Sequence, residues 1–121
     1  MLNRLKKRLE DAYLVKQGFG SGVAFTASLV NSVRPGETLL DIGCGEGKLR
    51  PLLHKSVVYI GMDRYAGEQG NEYDGWQMRP DILGDVHCLP LDDACCNCVS
   101  LLQVLEHAAN PTHALQEIVR V

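Results

Sequence analysis

The sequence predicts an α/β fold, and three observations carry that prediction. A short apolar run with one acid inside it, Thr38 to Ile42, leads into glycines at alternate positions, Gly43, Gly45 and Gly47. A second β-branched run, Val57 to Met62, ends at another acid, Asp63, twenty-two positions after Asp41 (63 − 41). Two further apolar stretches follow, separated by turn residues, and the chain then reaches an Asn110-Pro111 helix start. Short buried strands alternating with helical stretches belong to this class.

Size and composition set outer bounds. A chain of 121 residues can build one small domain with a core, not two. No apolar run is long enough to cross a bilayer, and no signal-peptide core is seen. The net charge of −3 is uneven: residues 1–20 hold five Lys/Arg against two acids, +3, leaving −6 for the rest. An acidic body argues against nucleic acid as the main partner and suits a positively charged small ligand. Five cysteines, Cys44, Cys88, Cys95, Cys96 and Cys98, do not form a secreted disulfide framework, and a cytoplasmic location is expected. His87 and the crowded cysteines raise the question of zinc. Cys98 falls in an expected strand, however, and the group is read as small core or loop residues, with no metal.

The first thirteen residues read as an amphipathic helix, with Leu2, Leu5, Leu9 and Tyr13 at helical spacing and Arg4, Lys6, Lys7 and Arg8 elsewhere. Packing against the domain is the preferred reading; peripheral contact with an anionic membrane through residues 1–13 is the alternative. Gln17 to Gly22 is a link, so residues 1–20 form a helix and link and residues 21–121 the domain. A second helix follows, with Val23, Ala27, Val30 and Val33 on one face. Arg34-Pro35-Gly36-Glu37 is a turn signal with Pro and Gly at its centre.

The first strand then enters the glycine loop, where positive φ lets the backbone approach a ligand closely. A helix over about 46–55 is expected next, its N-terminus offering free N–H donors, with Pro51 confined to the first turn. After the second strand, Arg64 to Pro80 reads as an irregular loop. Its Tyr65, Tyr73 and Trp76 are expected on the sheet edge rather than over a ligand. Asp81 to Gly84 is a third strand and Asn97 to Gln103 a fourth. The last helix starts at the Asn110 cap with Pro111 at its first position, and Ala114, Leu115, Ile118 and Val119 are expected to be its buried face.

The dinucleotide fingerprint G-x-G-x-x-G would put its third glycine at Lys48. The pattern is instead D-x-G-x-G-x-G. With GMD, GDVHCLP, VLEH-x-x-NP and QEIVRV following in order, Thr38 to Val121 resembles the type 11 group of class I S-adenosylmethionine-dependent methyltransferases, which includes quinone-biosynthesis and glycan-associated enzymes. The resemblance implies a Rossmann-like parallel sheet, truncated here to about four strands in the order 3-2-1-4 with flanking helices. Relatives continue into a fifth strand where this sequence reaches Arg120-Val121. The expectation is therefore a fragment of a larger enzyme, with a homodimer covering the strand-four edge as the alternative. Relatives also usually carry a crossover helix over 64–80 and an aspartate where Asn97 stands.

The resemblance also implies roles. Asp41, Gly43 and Gly45 would meet the methionine portion of the cofactor, with Cys44 and Arg64 in the same binding set and Gln103 contributing through its backbone. Asp63 would take the ribose hydroxyls. Asp85 would accept from the adenine amino group while the Val86 N–H meets a ring nitrogen, matching one donor beside one acceptor. The sulfonium already activates the methyl carbon, so the protein mainly binds, aligns and desolvates. A general base is optional; His107 is the candidate, and the plainer reading has Glu106 and His107 shape the turn into the last helix. His54, His87 and His113 read as surface or helix residues. The expected function is methyl transfer from S-adenosyl-L-methionine to a small-molecule, lipid or glycan acceptor; a non-catalytic cofactor-binding or interaction module is the alternative. A nicotinamide-dependent oxidoreductase is disfavoured by Lys48 and by an acid inside the first strand.

Overall fold

The computed structural model of the chain describes residues 23–65 and 78–121. The expected helix over 1–13, the link at Gln17 to Gly22, and Tyr73 and Trp76 lie outside the described residues. Among those described, no helix is long and apolar enough to cross a membrane.

Among the described residues four strands form one parallel sheet: β1 (Thr38–Ile42), β2 (Val58–Asp63), β3 (Ile82–Leu83) and β4 (Cys98–Leu101), in the order β3-β2-β1-β4. This is the order implied by the resemblance. Among the described residues two helices flank it, α1 (Val23–Ser32) and α2 (Pro111–Arg120). The central strand β1 is buried from Leu39 to Ile42. Strand alternation sends Leu40 and Ile42 to one face and Leu39 and Asp41 to the other. On the first face Leu40 and Ile42 join Met62, Val86, Leu89, Ala114 and Val121 in the main core, where burying a Leu, Ile, Val or Met side chain stabilises the fold by about 1.5–3 kcal/mol.

The local signals fold as expected. Ala27 and Val33 are buried and Val30 half-buried on the predicted face. Gly36 takes φ +88° and the Glu37 N–H donates to the Arg34 carbonyl at 3.1 Å, a type II turn with Pro35 before the glycine. Asn97 does what an aspartate would: its Oδ1 accepts from the Thr38 N–H at 2.8 Å, fixing the start of β1 to the start of β4.

Two expectations fail. No α-helix follows the glycine loop; residues 43–49 run through turns into a single 3-10 turn at Arg50–Leu52. Gly47 is left-handed (φ +69°), so a helix could not begin before Lys48. Pro51 would then fall where an N–H is needed. The last helix is also rotated from its expected face. Asn110 caps it as predicted, its Oδ1 accepting from the His113 N–H at 3.0 Å; Ala114 is fully buried and Ile118 packs against the core as expected, but Leu115 is 48% and Val119 87% exposed.

The rotation follows from charge. Glu117 and Arg120 turn inward and grip the loop that follows β3. Arg120 donates from Nε and Nη2 to the two Glu117 oxygens, from Nη2 to the Leu89 carbonyl, and from Nη1 to the Leu91 carbonyl and Asp93. Every N–H of the guanidinium is thus engaged. Glu117 accepts in addition from the Leu89 N–H at 2.8 Å. Arg120 and this amide hold the Glu117 carboxyl down to about 2, from 4.5. A depressed carboxylate stabilises the fold above its unfolded pKa and loses that contribution as pH falls through the folded one. Thermal melts should therefore show Glu117→Gln less stable than wild type at pH 6, with the gap closing as pH falls from about 4.5 towards 2.

Candidate functional site

The carboxyl ends of the strands open into a cavity of about 510 Å³, the position where open parallel sheets bind ligands. Its wall starts with the glycine loop. The Gly43 and Cys44 N–H groups both donate to the Met62 carbonyl, at 2.8 and 3.1 Å, and the Gly45 N–H donates to Asp63 Oδ2 at 2.9 Å. The Gly47 N–H closes onto the Cys44 carbonyl. The loop amides are thus tied back to the end of β2 and to the loop itself, in place of the helix N-terminus the sequence suggested. Gly43, Gly45 and Gly47 all have positive φ, 71°, 54° and 69°. A Cβ at Gly43 would sit 2.3 Å from Val104 Cγ2, so the close approach needing glycine there is to the segment after β4.

That segment supplies the opposite wall. Gln103 lines the cavity with φ +56°, a conformation that costs a non-glycine residue on the order of 1 kcal/mol and concentrates at functional sites. His107, in the 3-10 turn Leu105–His107, lines the cavity as well.

Two carboxylates complete the polar lining. Asp63 ends β2, and its Oδ1 also accepts from the Tyr65 N–H at 3.2 Å. Asp85 follows β3; its Oδ1 accepts from the His87 N–H at 2.8 Å and from the His87 ring at Nδ1. These bonds, the backbone one foremost, hold the Asp85 carboxyl below its ordinary range. Arg64 and Val86 share the lining.

Asp41 and Cys44 stand apart from it. Asp41 is 4% exposed and points to the other face of the sheet, where the Tyr59 hydroxyl donates to its Oδ2 at 2.6 Å. Burial pushes this carboxyl up to about 6, partly offset by Tyr59 and by Ser100. Ser100, its partner in the β1–β4 register, stands near enough to ease ionisation but short of hydrogen-bond geometry, and its buried Oγ has no partner among the described residues. The Cys44 thiol is raised to about 12 by burial and by Asp41 and Asp63, and so stays protonated.

Of the ten residues singled out from the sequence, the structure therefore brings eight into one cavity: Gly43, Gly45, Asp63, Arg64, Asp85, Val86, Gln103 and His107. Sequence reasoning missed two others. Tyr65, expected on the sheet edge, lines the cavity, and so does His87, read as a surface residue. Their adjacency to Asp63 and Asp85 was the available signal.

A family model described as a methyltransferase domain, of type 11, matches residues 40–121. The chain belongs to the type 11 class I methyltransferases. It is 39% identical over 97 residues to an uncharacterized 37.1 kDa protein in transposon TN4556 of Streptomyces fradiae, covering 73% of this chain and 28% of that protein. Two solved structures share the methyltransferase fold. One is a Haloferax volcanii protein described as a methyltransferase, in complex with the Trm112 methyltransferase activator (TM-score 0.62, 23% identity, 91% of this chain and 50% of that one). The other is a Methanococcus maripaludis protein described as S-adenosyl-L-methionine-dependent (TM-score 0.60, 18% identity, 94% and 56%). The chain thus spans about a quarter to just over half the length of these relatives.

Two outcomes follow for this methyltransferase domain. An acid raised from 3.8 to about 6 binds its proton more tightly when folded, so it lowers stability as pH rises from about 4 to 6; the difference is worth about 3 kcal/mol at most. Asp41→Asn, which keeps an acceptor for Tyr59, should be more stable than wild type at pH 8, and the gain should vanish below pH 4 in denaturant titrations. Gln103→Gly should raise stability by about 1 kcal/mol by relieving its left-handed strain, measurable as a higher denaturation midpoint.

Proposed function

We propose that this chain binds S-adenosyl-L-methionine in the cavity and directs its methyl group to a small-molecule, lipid or glycan acceptor. The observation that carries the reading is the convergence of Asp63 and Asp85 on one cavity, from the ends of neighbouring strands, facing the left-handed Gln103. The donor set fits the cofactor. A carboxylate at the end of β2 suits a ribose diol, and a carboxylate followed by the buried Val86 suits the edge and face of an adenine. Ile42, Met62, Leu102 and Val104 supply apolar wall, and about 510 Å³ lies within the range of small-molecule sites.

In this reading Asp63 holds the ribose, Asp85 and Val86 hold the adenine, and Gly43, Gly45 and the Gln103 backbone flank the methionine portion, with Arg64 beside them. Asp41, beneath the loop, and Cys44, within it, act through the shape of the loop. The bound cofactor supplies an electrophilic methyl carbon; the chain's residues orient it and exclude water. His107, on the wall beside Ala108, is the residue proposed to take a proton from an acceptor that must lose one. Five free cysteines accord with a cytoplasmic setting, and β4, the last strand of the sheet among the described residues, is where a second copy would dock.

Calorimetric titration with S-adenosylhomocysteine tests the site. Wild type should bind. Asp63→Ala should bind roughly 10- to 100-fold more weakly, the effect of removing a charged hydrogen-bond partner. Unchanged affinity in that variant would remove the ribose assignment. Binding without methylation of any acceptor class would favour a cofactor-binding module.

A further inference from the structure

We propose that His87 is a positioning residue for recognition of a 6-aminopurine: it fixes the carboxylate of Asp85 and anchors it to the start of α2. The inference rests on the reading above that Asp85 meets the adenine amino group.

Three hydrogen bonds make the chain. Asp85 Oδ1 accepts from the His87 backbone N–H at 2.8 Å and pairs with His87 Nδ1. On the far side of the ring, His87 Nε2 accepts from the Asn110 N–H at 3.0 Å. An imidazole nitrogen that accepts cannot carry the proton, so in the neutral ring the proton sits on Nδ1 and points at Asp85. The tautomer is thus set by the helix, and the orientation of the carboxylate by the tautomer. Asn110 is itself immobilised as the N-cap of α2, with its Oδ1 on the His113 N–H.

The arrangement does more than tie down a turn. The Asp85 side chain is 48% exposed while that of His87 is 23% exposed, so the acid faces open space and the ring behind it is the more buried of the two. A carboxylate on an irregular segment would otherwise sample several rotamers. Two donors on the same oxygen select one, and the other oxygen then has a set direction. Discrimination between an amino group and a carbonyl at purine C6 depends on that direction. An acceptor in line with the site is bonded by the amino group and repelled by the carbonyl. Outer residues that orient a ligand-binding group in this way act by preorganisation.

The test compares S-adenosylhomocysteine with its 6-oxo analogue, S-inosylhomocysteine, by calorimetry on the full chain, with circular dichroism confirming the fold. Wild type should prefer the adenosyl compound, and Asp85→Ala should lose the preference. His87→Ala should reduce it by about tenfold or more, through weaker adenosyl binding. Two amide variants separate positioning from simple anchoring of the helix, and they carry the test if the alanine variant does not fold. His87→Asn places an amide near the Nδ1 position, can still donate to Asp85, and should restore most of the preference. His87→Gln places its amide near the Nε2 position, keeps an acceptor for Asn110, and should not. A preference intact in both His87→Ala and His87→Gln, or restored by Gln and not by Asn, overturns the proposal while leaving the role of Asp85 standing. Equal preference in wild type and Asp85→Ala would instead remove the adenine assignment itself, and the proposal with it.

Discussion

The carbonyl of Met62 governs the shape of the site. In the parallel register Ile42 lies beside Met62, so β1 ends one residue short of β2 and the Met62 carbonyl is left facing whatever follows β1. Two consecutive amides, of Gly43 and Cys44, turn back onto it. Bringing adjacent N–H groups onto one acceptor requires a sharp reversal, and Gly43 supplies it with positive φ. Once that reversal is made, the Gly45 amide arrives at Asp63, and Gly43 lies against Val104, with no room for a side chain. Register thus fixes the loop, and the loop joins the ends of three strands around one cavity.

The loop is supported from the opposite face by a second set of polar groups. Tyr59 donates to Asp41, Arg50 lies 4.5 Å over the Tyr59 ring, and Arg50 pairs with Asp81 at 2.6 Å. Asp81 also accepts from the Gly61 N–H at 2.8 Å, linking the start of β3 to β2. The cation therefore neutralises Asp81 and stacks on the ring, while Asp41 depends on a hydroxyl. That asymmetry explains why burial raises the Asp41 carboxyl while pairing lowers that of Asp81. A buried acid that weakens the fold at neutral pH is the kind of liability a domain carries near a functional loop.

Where the chemistry is local, the sequence was readable. Pro35-Gly36 dictates its own turn, Asn110-Pro111 its own helix start, and β1 its own burial; five motifs in order carried the family and, with it, the strand order. The failures have nonlocal causes. Residues 46–55 look helical by composition, but three left-handed glycines ahead of Pro51 leave no room for a full turn. The apolar positions of α2 suggested a face that a five-donor arginine overrides by seeking the loop after β3. The motif groups Asp41 with the cavity-facing acids, yet strand parity beside the buried Leu40 sends it to the other face. His87 gave no periodic signal, because its partners are two residues back in the chain and twenty-three ahead.

Those long-range bonds also explain how an irregular segment can form a wall of the cavity. Between β3 and β4 the chain runs through residues 84–97, fourteen positions without a regular element. Loops of that length are uncommon in compact domains, and each ordered residue costs roughly 1–2 kcal/mol of backbone entropy. The helix after β4 returns to hold this loop at two points. Its cap reaches back to Asp85 through His87, and its last turn seizes Leu89, Leu91 and Asp93 through Arg120. Between the two anchors Val86 and Leu89 drop into the core beside Ala114, so apolar burial and hydrogen bonding act on the same few residues. The helix thus serves as a strut under the wall that carries Asp85, and the rotation that leaves Leu115 and Val119 in solvent is the geometric consequence of gripping that wall with Glu117 and Arg120.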